Sequence, residues 1–203
     1  MSEATVNNDA VSFSDALKKA LYLGGTLFAV TAVTGIILGF VEHYTSQAIR
    51  QVELAAKNEA FKNVMPIAQT FEAVDPVADD FVIDTVKGKD ESGSLAGWCL
   101  TVETKSYGGP LQFIAGITKD GTVKAINILN HSDTPGLGAR ATEPEFYGQF
   151  TDKTTLPLKV IKGDAGNPDE IAAISGATIT STAVTTGVNA AVDYWSRNLK
   201  GAE

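Results

Sequence analysis

A chain of 203 residues, 44% apolar and 20% charged, has the composition of one globular domain with an appendage rather than of a disordered polymer. Its 24 acidic and 16 basic side chains give a net charge of −8, which repels a phosphate backbone and argues against nucleic-acid binding. One cysteine, Cys99, allows neither an internal disulfide nor a Cys-ligated zinc or iron–sulfur site. The two histidines, His43 and His131, lie far apart without metal-ligand spacing, so no protein-bound metal is expected.

From Ala20 to Val41 runs a stretch of 22 residues without a charge. As a helix it would span about 33 Å, enough to cross a bilayer core of ~30 Å. A cleavable signal peptide has a shorter apolar core, so an uncleaved anchor is the expectation. Lys18 and Lys19 abut its N-terminal end, while the far side opens with Glu42 and has no Lys or Arg before Arg50. The positive-inside rule then places the N-terminus in the cytoplasm. The expected organisation is a cytoplasmic tail at 1–19, a single-pass transmembrane helix at 20–41, a juxtamembrane helix at 42–66 and an exported domain at 67–203.

Within that exported part, Ser46–Asn63 lacks Gly and Pro and repeats Ile49, Val52, Ala56 and Ala60 at helical spacing, stopping before Pro66. Phe71–Asp90 is acidic, carries strand-like pieces such as Phe81-Val82-Ile83, and is expected to be a solvated face. The pattern then turns to strands at Trp98–Glu103, Leu111–Thr118 and Thr122–Leu129, the last two joined through Asp120-Gly121, a hairpin signal. A short helix is expected at Pro144–Phe150 and a closing helix from about Ser181 to Leu199, with Val184, Val188, Val192 and Trp195 on one stripe. Cys99 and Trp195 read as core residues. The fold class is α+β, with a small sheet covered by helices.

Three loops carry the chemistry. Tyr107-Gly108-Gly109-Pro110 precedes a strand, the segment from His131 through Asp133-Thr134-Pro135-Gly136-Leu137-Gly138 follows the next one, and Ser175-Gly176-Ala177-Thr178-Ile179-Thr180-Ser181 opens the last helix. Glycines let backbone approach a ligand closely, and a helix N-terminus favours an anionic phosphate. Singly, each loop could be a plain turn.

Taken in this order behind one N-terminal anchor, the three motifs resemble the covalent-FMN-binding domain family. Within it they are most similar to the G subunits of the Rnf ion-pumping electron-transport complexes; the homologous C subunits of sodium-translocating NADH:quinone oxidoreductases are similar but typically longer. The resemblance implies that Thr178 carries FMN through a phosphoester bond installed by a separate flavin transferase. It implies that Ser175, Gly176, Ala177 and Thr180 surround the attachment point. Tyr107, Gly108, Asp133, Thr134, Gly136 and Leu137 would lie near the flavin ring. Thr180, Ser181 and Thr182 could cap the helix or bond the phosphate.

The implied role is an electron carrier in an ion-translocating ferredoxin/NAD oxidoreductase complex of the cytoplasmic membrane, working with other membrane subunits and catalysing nothing alone. Two positions depart from the family pattern. Ala172 stands where the transferase usually reads an acidic residue, with Asp169 and Glu170 close by, and Asp133 replaces the more usual Glu. Two other readings stay open. One is a membrane-anchored exported binding or assembly domain without redox activity, which Ala172 favours. The other is an anchored hydrolase using Ser175 or Thr178, for which no base stands at a suitable spacing.

Overall fold

A computed structural model describes residues 13–201, with side chains throughout except at 13, 15, 16 and 47–55. The chain divides into two units, Met1–Glu53 and Leu54–Glu203. The first is built on helix α1, Phe13–Val64, which continues into the second. Among the described residues one helical segment, Leu17–Ser46, is long and apolar enough to cross a membrane, and none of its most apolar stretch is buried. Leu21, Phe28, Ile36 and Phe40 are all exposed. The hydroxyls of Thr26, Thr31 and Thr34 fold back to donate to the carbonyls of Leu23, Leu27 and Val30 at 2.9–3.0 Å. These threonine hydroxyls are thereby satisfied within their own helix, as a hydrocarbon environment requires.

The apolar run and the following helix form a single element, with no break between Val41 and Ser46. It ends at Val64, two residues before Pro66, where the ring would clash with a continuing helix. The side chains of Ile49 and Val52 lie outside the described residues. Of the other two stripe positions, Ala56 is exposed and Ala60 buried.

The second unit centres on a five-stranded antiparallel meander, in the order β1 (Thr70–Val74), β2 (Val82–Lys89), β3 (Leu95–Lys105), β4 (Pro110–Thr118) and β5 (Val123–His131). A short helix α2 (Pro144–Tyr147), flanked by 3-10 turns, follows β5. A small parallel pair, β6 (Lys159–Ile161) with β7 (Glu170–Ala172), then leads to α3 (Thr178–Asn198). Both faces of the sheet are covered. On one, Leu100, Val102, Leu111, Phe113 and Ile117 pack with Val184, Val188, Ala191 and Trp195 of α3. On the other, Phe61, Val64 and Met65 at the end of α1 cover Val86, Cys99 and Ile114. The close seating of α3 depends on Gly187, where a Cβ would stand 2.8 Å from the Phe113 ring.

The acidic stretch expected to be a solvated face is largely two strands, β1 and β2. Val82, Thr85, Val86 and Gly88 of β2 are buried. A register shift between Val82 and Asp84 breaks the alternation there, which hides the strand from a simple period-two reading. What remains largely exposed is β1, with Glu72 and Ala73 turned to solvent, and the loop 75–80, pinned where Val77 N–H donates to the wholly buried Tyr194 hydroxyl at 2.9 Å. The closing helix begins at Thr178, three residues before the expected start, because Thr178 and Ile179 continue its first turn.

Candidate functional site

The β3–β4 turn, the segment after β5 and the N-terminus of α3 meet at one end of the sheet, and Asp133 ties them together. It is 6% exposed. Its Oδ1 accepts from Ser106 Oγ at 2.5 Å and from the Gly108 N–H at 2.7 Å, so the post-β5 segment grips the β3–β4 turn. The Asp133 N–H in turn donates to His131 Nδ1 at 3.3 Å. Burial alone would push this carboxyl up. The bonds from Ser106 and Gly108, with help from the nearby Thr180 hydroxyl and His131, outweigh that and hold it below the usual carboxylate range. Asp133 is therefore a buried anion at neutral pH. Its second oxygen, Oδ2, is buried without a hydrogen-bond partner of good geometry.

Two glycines make this junction possible by close approach. A Cβ on Gly108 would collide with the Ser132 carbonyl oxygen, and one on Gly138 would lie 2.6 Å from Thr180 Oγ1 and 2.8 Å from Asp133 Cγ. Beyond Asp133 the chain curls tightly, with the Thr134 carbonyl accepting from the N–H groups of both Leu137 and Ala139. The N-cap residue of α3 is Ala177, which offers no side-chain cap. Ser181 turns inward instead, accepting from Ile174 N–H and donating to Ala177 O, both at 3.0 Å. The first-turn amides of α3 are left without a side-chain acceptor.

These elements enclose a cavity of about 390 Å3. Tyr107, Asp133, Thr134, Leu137, Gly176, Ala177 and Thr180 line it, with Gly138 and Ile179 added to the expected set. Tyr107 is 74% exposed and Leu137 44%, so both present apolar surface at its mouth. Gly108 contributes through its backbone, and Gly136 through a φ of +76° in the turn. Ser175 lies elsewhere, in a shallow hollow with Ala172 and Gln149.

Thr178 does not line this cavity. It opens onto a neighbouring, mostly apolar groove of about 440 Å3, between α3 and the end of β3. Thr182, Ala183 and Thr186 continue that groove along the helix, and Phe81, Thr104 and Lys105 form its other wall. Ile179, 57% exposed, lines both hollows and so stands between them. Thr104 Oγ1 is buried in the groove wall without a partner. Sequence reasoning missed Phe81, Thr104, Lys105, Ala183 and Thr186. The i, i+4, i+8 run of Thr178, Thr182 and Thr186 was the available signal for the helical side. Nothing in the sequence places β3's end opposite it.

The segment before the attachment motif, where a transferase would read its acidic residue, is firmly held. Gln149 clamps Ala172 from both sides, accepting from its N–H at 2.7 Å and donating to its carbonyl at 3.3 Å. Asp169 pairs with Lys159 at 3.0 Å, and Glu170 accepts from the N–H groups of Gly166 and Asn167. Among the described residues no group of three or more His, Cys, Asp or Glu side chains could hold a metal ion.

A meander backed by α3, with three glycine-bearing loops at one end, is the arrangement of an FMN-binding domain, and residues 106–193 match that family. The match starts at Ser106 and takes in all three loops. The chain is 36% identical over 176 residues to the G subunit of the ion-translocating oxidoreductase complex of Methanosarcina acetivorans, covering 84% of this chain and 92% of the relative. It is 34% identical to the G subunit of the proton-translocating ferredoxin:NAD(+) oxidoreductase complex of Clostridium ljungdahlii, covering 83% and 91%. To the G subunit of the Na(+)-translocating ferredoxin:NAD(+) oxidoreductase complex of Acetobacterium woodii it is 33% identical, covering 88% and 92%. The chain belongs to this family of ion-translocating oxidoreductase complex G subunits. Its fold is also that of the C subunit of the Na(+)-translocating NADH-quinone reductase of Parabacteroides distasonis, with a TM-score of 0.53 at 19% identity, covering 68% of this chain and 81% of that one.

Proposed function

We propose that this protein is the electron-carrier subunit of a membrane-bound, ion-translocating ferredoxin/NAD oxidoreductase complex, holding FMN covalently through the Thr178 hydroxyl. The observation that carries the reading is the position of Thr178. It is exposed and opens an uncapped helix. It lines one hollow and stands next to Ile179, which lines a second, and both are of the size that binds small molecules. A phosphoester there would receive the first-turn amides of α3, which a side-chain cap would otherwise take.

The rest of the site suits a flavin. Tyr107, Leu137 and Ile179 offer apolar surface to a planar ring, and Asp133 Oδ2 and Thr104 Oγ1 are orphaned polar atoms to which a heterocycle's N–H and C=O groups are complementary. Flavin supplies both one- and two-electron chemistry. The residues bind it, orient it and set the charge around it, and no acid–base pair is needed. Tethering keeps the local concentration of the cofactor high whatever its intrinsic affinity, which matters for a domain outside the cytoplasm.

Leu17–Ser46 and the relatives' membership of ion-translocating complexes support anchoring in a membrane. With Lys18 and Lys19 on the cytoplasmic side, the FMN domain would face the outside of the cytoplasmic membrane. A flavin transferase acting there would have to accept Ala172 in place of an acidic residue, with Asp169 and Glu170 as the nearest carboxylates. The test is the assembled complex with and without Thr178→Val. Electron transfer from reduced ferredoxin to NAD should fall to background while the variant subunit still co-purifies. Unchanged transfer would leave the chain as an assembly domain, the reading that Ala172 favours.

A further inference from the structure

The hollow where the three loops meet has one carboxylate in its wall, Asp133, and no lysine or arginine. Tyr107, Leu137, Ala177, Ile179 and Thr180 make up most of the rest. Asp133 is 6% exposed, and its Oδ1 receives the Ser106 hydroxyl and the Gly108 N–H. Such bonds are roughly twice as strong to an ionised acceptor as to a neutral one, so this setting favours the anion.

No cation answers that charge directly. Among the described residues none of the ion pairs includes Asp133. Lys105, beside Ser106, lines the neighbouring groove, and Arg140, after Gly138, is taken up by Glu143 and Glu145. On β5, His131 turns Nδ1 to accept from the Asp133 N–H at 3.3 Å, which an imidazolium cannot do. On α3 the side chain that faces the carboxyl is Thr180, an uncharged hydroxyl. The charge is met by dipoles, in a wall of mainly apolar side chains, where its field on an occupant is weakly screened.

With FMN held at Thr178, as proposed above, that field acts on the reduced ring. Uptake of two electrons and two protons, one at each of two ring nitrogens, leaves the ring neutral. In water the reduced ring sheds one of those protons near neutrality. A fixed anion opposes the loss, because the ring left behind would be negative too. We propose that Asp133 holds the second proton on the reduced flavin, so that two electrons from the donor enter with two protons from solvent. It does so through its charge, and a neutral side chain of the same shape would not.

The test uses the flavinylated full-length protein in neutral detergent, with the flavin midpoint potential followed by visible absorbance from pH 6 to pH 10. Where two protons accompany two electrons the midpoint falls by ~59 mV per pH unit, and where one does it falls by ~30 mV. The break between the slopes marks loss of the second proton. In wild type it should lie at higher pH than in free FMN under the same conditions. Asp133→Asn should bring it down by at least one pH unit, a tenfold loss of proton affinity, and Asp133→Glu should restore it. Glu91→Gln, in the β2–β3 turn at the far end of the sheet, should leave the break in place. A wild-type break at or below that of free FMN overturns the proposal, as does an Asp133→Asn break equal to that of wild type. The comparison with free FMN needs no variant, so it decides even if Asp133→Asn does not fold. A wild type that carries no flavin overturns the reading of Thr178 and this proposal with it, whereas a flavinylated one with an unmoved break overturns this proposal alone.

Discussion

The two ends of α3 are built on the same sheet and yet on opposite chemistry. At the N-terminal end one buried carboxylate, Asp133, is the organiser, gripping two loops through backbone and hydroxyl donors. At the C-terminal end the organisers are aromatic, with Trp98 and Trp195 packed under a rim of lysines. One end positions main chain with glycines and the other positions charge with side chains. The core between them, dominated by wholly buried Phe113, Leu100 and Ile117, is common to both. The contrast implies that the ends can be damaged separately but share their foundation.

Phe113→Ala should erase the contrast. Removing that ring costs ~3–5 kcal/mol in a well-packed core, so both ends should fail together in a denaturant titration. Gly138→Ala should sharpen it. The new Cβ meets Thr180 Oγ1 and Asp133 Cγ, an overpacking that costs roughly 1–3 kcal/mol. Flavin incorporation should fall sharply with the tryptophan emission of the other end unchanged.

Asp133→Asn should cost about 1 kcal/mol at neutral pH, the difference between donating to a charged and to a neutral acceptor. Because the folded-state pKa of Asp133 is depressed, its contribution is complete above the unfolded value near 3.8 and disappears as pH falls through the folded one. The stability gap between wild type and Asp133→Asn, measured by thermal melts across pH, should therefore be full at pH 7 and close only in strong acid. The smallest effect concerns Cys99. Burial pushes its thiol up to about 12, so alkylation at pH 8 should be negligible in the native protein and rapid in denaturant.

How much of this was legible in the sequence differs by element. The strands β3, β4 and β5 follow runs of β-branched and aromatic residues with an Asp-Gly turn, and α3 follows the Val184–Val188–Trp195 stripe. Strand β2 was obscured, because Asp84 and Lys87 interrupt its apolar pattern and a bulge shifts its register. The sequence divides the one-piece α1 into two segments because composition changes at Glu42 although backbone geometry does not. Tyr107, Asp133 and Gly176, which three separate motifs single out, meet around one hollow. The groove beside Thr178 was invisible, since Phe81 and Lys105 come from strand ends that only the sheet register brings opposite α3. Likewise, nothing local relates Lys87 to Trp195.

The most direct measurement is the intact mass of the protein co-expressed with a flavin transferase, beside Thr178→Val. Wild type should gain the mass of FMN less one water, and the variant should gain nothing. An adduct that persists in Thr178→Val, or a wild type that stays bare and colourless, would contradict the account.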